Sequence, residues 1–472
     1  MALKARVMRL ADDLHHSYWF LPALMALLAI VLAGTMVTLD VWAGSSWLER
    51  VPWLYTTHPG GARLVLSAIG GSMITVAGTV FSVTIAAVVY ASGQYGPRLL
   101  SNFMSDRGNQ FTLGTFIATY LYCLLVLRTI RSPEEDGIGI GFVPNLALLV
   151  AVALALCSIA VLIFFIHHVP SRIHISSVIE GIGGKLLGDI ETRFPRFIGA
   201  PPDDDAAVKT GDGDDTSQVF GQAIGSAIPV AVRARETGYI QVIDDGVLLE
   251  CASEGDLLLR LHYQPGDFVH VGRTLLEVSP AGRCTDESVE VLAAAYGIGA
   301  RRSALQDMRF LVDELVEIAA RALSPGVNDP FTAVTCLDWI GAALSDLAQR
   351  ELPSHLRVDD EGVLRVIAHP VTFNRFIDQS FGALAQYCAG DMIASLHYLR
   401  VLGEVALGCQ DEGRLASLAT AADRLETLAG ATLVGINLER VRERAHQVRR
   451  VLNEPDYKRR LRDSAEWLGG TA

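Results

Sequence analysis

Charge is missing from the places where membrane chemistry would need it. Only 19% of the 472 residues are charged, and four long apolar stretches carry no Asp, Glu, Lys, Arg or His in their middles. A proton relay or carboxylate-coupled carrier needs an ionisable group inside the bilayer, and neither has an obvious working residue here. Basic residues are outnumbered, 39 Lys and Arg against 52 Asp and Glu, and the net charge of −13 argues against a nucleic-acid surface, which rests on clustered cations. Seven cysteines stand at 123, 157, 251, 284, 336, 388 and 409 with no C-x-x-C pair among them. That spacing offers neither a disulfide frame nor a zinc site and suits a reducing compartment. There is no G-x-S-x-G, no Walker loop and no H-E-x-x-H. Gly181, Gly183 and Gly184 follow helical residues rather than a strand, so they do not form a dinucleotide cradle. The reading is therefore of a non-enzyme without a cofactor or bound metal.

What is present is apolar length. About 20 helical residues cross a hydrocarbon layer of roughly 30 Å, and stretches from Phe20 to Leu39, Ala62 to Val89, Phe111 to Ile130 and Phe142 to Phe165 meet that requirement. The first is too long for a removable signal peptide and is read as an anchor. Lys4, Arg6 and Arg9 precede the first span, Arg98 and Arg107 lie between the second and third, and Arg172 follows the fourth. Asp40, Glu49 and Glu134-Glu135-Asp136 fall in the opposite loops. Basic residues stay on the cytoplasmic side, so both termini are expected there.

The expected fold is an α-helical integral membrane protein with four spans in residues 1–170 and a cytoplasmic α+β region. Residues 171–227 read as a connector helix and an acidic flexible loop, since 201–216 are rich in Asp, Gly and Pro with little to bury. Residues 228–282 alternate in short Val-, Ile- and Leu-rich runs punctuated by Asp245-Gly246, Glu254-Gly255 and Pro265-Gly266-Asp267, which predicts a small β-barrel or sandwich module. Its layout resembles the biotinyl and lipoyl carriers. No lysine lies between Lys209 and Lys458 to hold such a cofactor, so the likeness is structural only. Residues 283–472 read as an all-α domain, with Leu305, Met308, Leu311, Val312, Leu315 and Ile318 at helical steps.

Two motifs have plain structural explanations. In "RALSPGVNDPFTA", Pro325-Gly326 ends one helix and Asp329 caps the next, with Pro330 at its first turn. Ser324, Asn328, Asp329 and Thr332 nevertheless form a candidate ligand or subunit contact. His167, His168 and His174 lack a tight i, i+4 metal spacing and read as residues of the membrane edge.

The second span is the unusual one. At 100° per residue, Ser67, Gly71, Ser72, Thr75, Gly78, Thr79, Ser82 and Ala86 share an arc of about 140°, with Ile85 and Val89 as bulky members near one end. Leu66, Ile69, Met73, Val76, Val80 and Val88 fill the opposite face. The third span repeats the hydroxyl theme with Thr112, Thr115, Thr119 and Tyr122. Small residues let helices pack closely, but hydroxyls and backbone also line water paths that need no charge. Four spans cannot enclose such a path alone. The expectation is a homo-oligomeric ion channel lined by the second span, with Phe81, Ile85 or Val89 as the constriction and the lipid bilayer, other copies and inorganic ions as partners. Acidic loops favour cations. The alternative is a non-conducting scaffold or ligand sensor.

"TVFSVTIAAVVYASGQYGPRLLSNFMSDRGNQFTLGTF", "HHVPSRIHISSVI" and "RALSPGVNDPFTA" together resemble a bacterial membrane-protein family, domain of unknown function 2254. The resemblance implies a multi-pass protein of the bacterial inner membrane and assigns no residue a role.

Overall fold

The structure is a computed structural model that describes residues 17–43, 58–96, 106–132, 142–193, 220–221, 228–352, 354–369 and 372–463. The acidic loop at 201–216, the basic residues Lys4, Arg6, Arg9 and Arg98, and the loop acids Glu49 and Glu134 to Asp136 lie outside them. The chain divides into two compact units, Asp12–Ser177 and, downstream, residues from Val178 onward.

Four helices long and apolar enough to cross a membrane make the first unit: α1 (Phe20–Ala43), α2 (Pro59–Tyr95), α3 (Arg107–Leu127) and α4 (Asn145–Ile173). Helix α3 is the central one, with 56% of its apolar window buried against 17–28% in the others. Its sequence supplies different packing to each neighbour. Leu113 and Phe116 meet Met73, Ala77 and Val80 of α2. Gly114 passes so close to α1 that a Cβ there would lie 3.2 Å from the Pro22 backbone. The Tyr122 hydroxyl donates to the Ala147 carbonyl of α4 at 3.0 Å.

Helix starts follow their local chemistry. Pro59 opens α2, where a missing N–H is harmless, and Asp106 caps α3 by accepting from Gly108 N at 3.2 Å. Helix α4 begins after Pro144, which makes no side-chain cap. Instead Asp40, at the far end of α1, accepts from Leu146 N and Ala147 N at 2.9 Å each. The carboxylate also meets the positive end of the α4 dipole. Near the same end, Arg63 of α2 donates to the Ile130 carbonyl at 2.9 Å. With 37 residues, α2 is about 55 Å long.

The downstream unit begins in helix α5 (Ile175–Arg193), one extended residue, His174, after α4. Strands β1 (Val230–Arg233), β2 (Gly238–Ile243), β3 (Leu258–Leu261), β4 (Phe268–Val269), β5 (Thr274–Ser279), β6 (Tyr296–Gly299), β7 (Leu356–Val358) and β8 (Leu364–Ile367) form two small sheets, ordered β1-β5-β3-β8-β7 and β4-β2-β6. Val232, Ile240, Leu259, Leu276, Val278 and Ile298 lie in their common core.

The structure corrects the expected β-module in three respects. The sheets do not close into a barrel. Asp245-Gly246 and Glu254-Gly255 bracket a helix, α6 (Asp245–Glu254), whose apolar Val247, Leu248, Cys251 and Ala252 recur at helical steps. Its N-cap Asp244 accepts from Val247 N at 3.3 Å. Finally, β6, β7 and β8 come from the region read as all helical; β6 pairs antiparallel with β2, and β8 pairs parallel to β3 with Leu259 opposite Val366.

The remaining helices are α7 (Asp286–Ala294), α8 (Met308–Ala322), α9 (Pro330–Leu347), α10 (Phe373–Ile377), α11 (Ala383–Cys388), α12 (Met392–Gly408), α13 (Glu412–Thr432), α14 (Ile436–Asn453) and α15 (Pro455–Asp463), with a π-helical turn at Asp378–Gly382 between α10 and α11. Leu311, Leu315 and Ile318 are buried as expected for α8, whereas Leu305 precedes the helix. The glycine run of α5 has a packing reason. Ile179, Ile182, Leu186 and Ile190 are buried, and Gly183 lies against Trp339 of α9, where a Cβ would come within 2.3 Å of the ring.

Candidate functional site

The arc of α2 is turned out of the unit that carries it. Ser67, Gly71, Ser72, Thr75, Gly78, Thr79, Ser82, Ala86 and Val89 are all exposed, and Ile85 is half-buried. A Cβ built on Gly71 or Gly78 would meet nothing within 4 Å. Leu66, Met73, Ala77, Val80 and Val88 are the buried side, facing the bundle. The hydroxyls bond to carbonyls of their own helix: Ser72 to Ile69 at 2.8 Å, Thr75 to Gly71 at 2.9 Å, Thr79 to Thr75 at 3.1 Å and Ser82 to Gly78 at 2.8 Å. Each oxygen keeps lone pairs to offer outward, so the face can accept from water without requiring it.

Phe81 falls beside this arc rather than on it. Its ring is 6.3 Å from that of Tyr18, at the start of α1.

The third-span hydroxyls do not share the exposure of the α2 arc. Thr112, Thr115, Thr119 and Tyr122 are buried. Thr112 donates to Gly108 O and Thr115 to Phe111 O, each at 2.8 Å. Thr119 pairs with Ser158 of α4 at 3.1 Å, and Tyr122 reaches Ala147 of the same helix. The physical reason is position: α3 is central, so polar groups on its α4 side become internal glue.

Among the three histidines, His168 has a specific partner. Its Nε2 is 2.7 Å from Asp106 Oδ2, and its ring stacks on Phe164 with centroids 4.8 Å apart. Gly108 makes room, since a Cβ there would lie 2.4 Å from Nε2. Sequence reasoning missed this pair and the Asp40 cap. Asp106, two residues before a glycine at the head of an apolar run, was a visible N-cap signal; its histidine, 62 positions away, had none. Among the described residues no group of three or more His, Cys, Asp or Glu is placed to hold a metal ion.

In the downstream unit, Ser324, Asn328, Asp329 and Thr332 build the turn between α8 and α9. Asp329 accepts from Thr332 N at 3.2 Å and from its hydroxyl at 2.6 Å, and Ser324 donates to Arg321 O at 2.6 Å. Asn328 takes φ +50°, a left-handed conformation that Asn tolerates. The side chains of Ser324, Asp329 and Thr332 are bonded within the turn itself, while Val327 and Phe331 project from it.

A denser charge network lies under the Pro265-Gly266-Asp267 turn. Asp307 receives Arg302 Nη2 at 2.7 Å and faces Arg309 Nε at 3.4 Å, and Arg309 donates to Pro265 O at 2.7 Å and Asp267 Oδ1 at 3.2 Å. Gly266, at φ +92°, fits because a Cβ there would overlap Asp307. Burial opposes the charge on Arg302, yet Asp307 and Asp313 hold its pKa above the usual arginine value. The network ties a sheet turn to α8.

Residues 15–404 match a family described as predicted membrane protein, DUF2254. The chain belongs to this family. The membrane unit and most of the downstream unit fall within the matched span. Uncharacterised proteins of Mycobacterium tuberculosis and Mycobacterium bovis are each 29% identical to the chain over 420 residues, covering 87% of it and 75% of the relative. No solved structure matches.

Proposed function

We propose that this DUF2254 protein assembles with further copies of itself in the bacterial inner membrane, and that the exposed arc of α2 lines an ion-conducting path between them. The observation that carries the reading is a contrast between outward faces. Helices α1 and α4 expose Leu27, Leu28, Val31, Leu156, Ile159, Ile163 and Ile166, the bulky apolar groups that suit lipid. Between Ser67 and Ser82, α2 exposes chiefly Ser, Gly, Thr and Ala instead, with Ile74 and Phe81 at its flank. Such a surface wastes contact with acyl chains and suits another helix or water.

A second reading, a dry seam in a non-conducting scaffold, is favoured by the intrahelical bonds of Ser72, Thr75, Thr79 and Ser82, which give each of these four hydroxyl protons an acceptor. Single cysteines at Thr75, Thr79 and Ser82, in a background where exposed Cys157 is replaced, distinguish the two. In liposomes, a pore predicts ion flux in the parent protein and a fall in flux when a water-borne thiol reagent modifies these positions. Absence of flux together with unreactive cysteines would sink the channel and leave the seam.

A further inference from the structure

The membrane unit holds a groove of about 710 Å³ between α1 and the end of α3. One side is a single stripe of α1 from Ile30 through Gly34 and Val37 to Val41, and the other includes Leu125 and Phe142. From Ile30 to Val41 the stripe runs about 16 Å at the helical rise. Thr38 and Thr129 also border it, but their hydroxyls donate to Thr35 O at 2.8 Å and Val126 O at 2.7 Å, so the polar atoms there are engaged by the backbone. Arg128 and Arg131 also line the groove, Arg128 directly after Leu127, the last residue of α3.

We infer that this groove is a binding site for an anionic glycerophospholipid, one acyl chain lying along α1 and the phosphate resting on Arg128 and Arg131. An arginine at the end of a span ordinarily only snorkels toward the headgroups. Here Arg128 and Arg131 line an apolar trough of ligand size, and Arg matches phosphate geometry with paired N–H donors. Volume, apolar length and terminal charge thus follow the sequence of parts in a phospholipid. Because Glu134, Glu135 and Asp136 follow Arg131 closely in the chain, Arg128 is the decisive cation.

The test uses the full-length protein in detergent, given equal amounts of phosphatidylglycerol and phosphatidylcholine with identical chains, with bound lipid read by native mass spectrometry. The wild type should retain phosphatidylglycerol over phosphatidylcholine by about tenfold, the scale of one charge-assisted contact. Arg128→Gln should bring the ratio close to one. Gly34→Leu, which points a side chain into open space in the groove, should lower retention of both lipids. Millimolar inorganic phosphate should displace neither. Equal retention by the wild type, or an unchanged ratio in Arg128→Gln, overturns the proposal. Displacement by phosphate would make the site one for a free anion, and a change of subunit number in Gly34→Leu would make the groove a contact between copies; either result also overturns it.

Discussion

Asp40 and Ala147 show how a single side chain closes the membrane unit. The carboxylate accepts from Ala147 N while Tyr122 donates to Ala147 O, so one residue at the head of α4 is held from two other helices. Asp40→Ala should lower the stability of the bundle by about 1–2 kcal/mol, as for loss of an N-cap, with Asp40→Asn losing less; the thermal midpoint in detergent reads both. His262 and His355 of the downstream unit set a pH limit. Burial pushes both pKa values down, with Arg260 and His369 adding to the effect on His262 against the opposing pull of Glu277, and Arg357 and His369 adding to it on His355. A histidine whose folded pKa is lowered binds fewer protons folded than unfolded. Stability is therefore highest above the ordinary value of about 6.5 and falls as pH drops from there toward the folded pKa. Replacing His262 and His355 together by Gln should flatten the dependence of the melting midpoint between pH 7 and pH 5 (values chosen about the ordinary histidine pKa). An unchanged slope would assign the acid sensitivity to other groups.

At the level of elements, glycines decide where helices touch. Gly183→Val would drive its branch into the Trp339 ring, lift α5 from α9 and destabilise the downstream unit by about 1–3 kcal/mol. Gly184→Val, at a position where a Cβ meets nothing within 4 Å, should cost far less, because it makes no clash and Val is a better helix former than Gly; equal losses would refute the packing role. The four spans were legible because apolar length is a local signal. The orientation of α2 was not. Both of its faces lack charge across the span, so neither polarity nor periodicity says which one meets the bundle; that choice is made by Gly70 fitting against Cys123 and by Leu113 and Phe116 of another helix. Helix α6 was misread for a related reason, since Asp245-Gly246 suits a turn and a first helical turn equally well. The pairing of Leu259 with Val366 joins strands more than a hundred residues apart, and no local pattern announces it.

For the whole molecule, the two units have separate cores, the bundle around α3 and the β-rich core around Ile240 and Leu276. Calorimetry of the full chain should show two transitions, with Asp40→Ala moving one and Gly183→Val the other. A single transition shifted by both variants would mean that the units unfold as one. The small and hydroxylated residues of α2 that the sequence places on one arc are exposed together, apart from half-buried Ile85, but what covers them is not encoded in the pattern of a single helix. Helix α2 has one more consequence. At about 55 Å it exceeds a hydrocarbon layer of roughly 30 Å, and even a tilt of about 40° leaves an excess on the order of 12 Å. The rod must therefore protrude from the bilayer, and thinning or thickening the membrane would slide its hydroxylated stretch relative to the lipid surface.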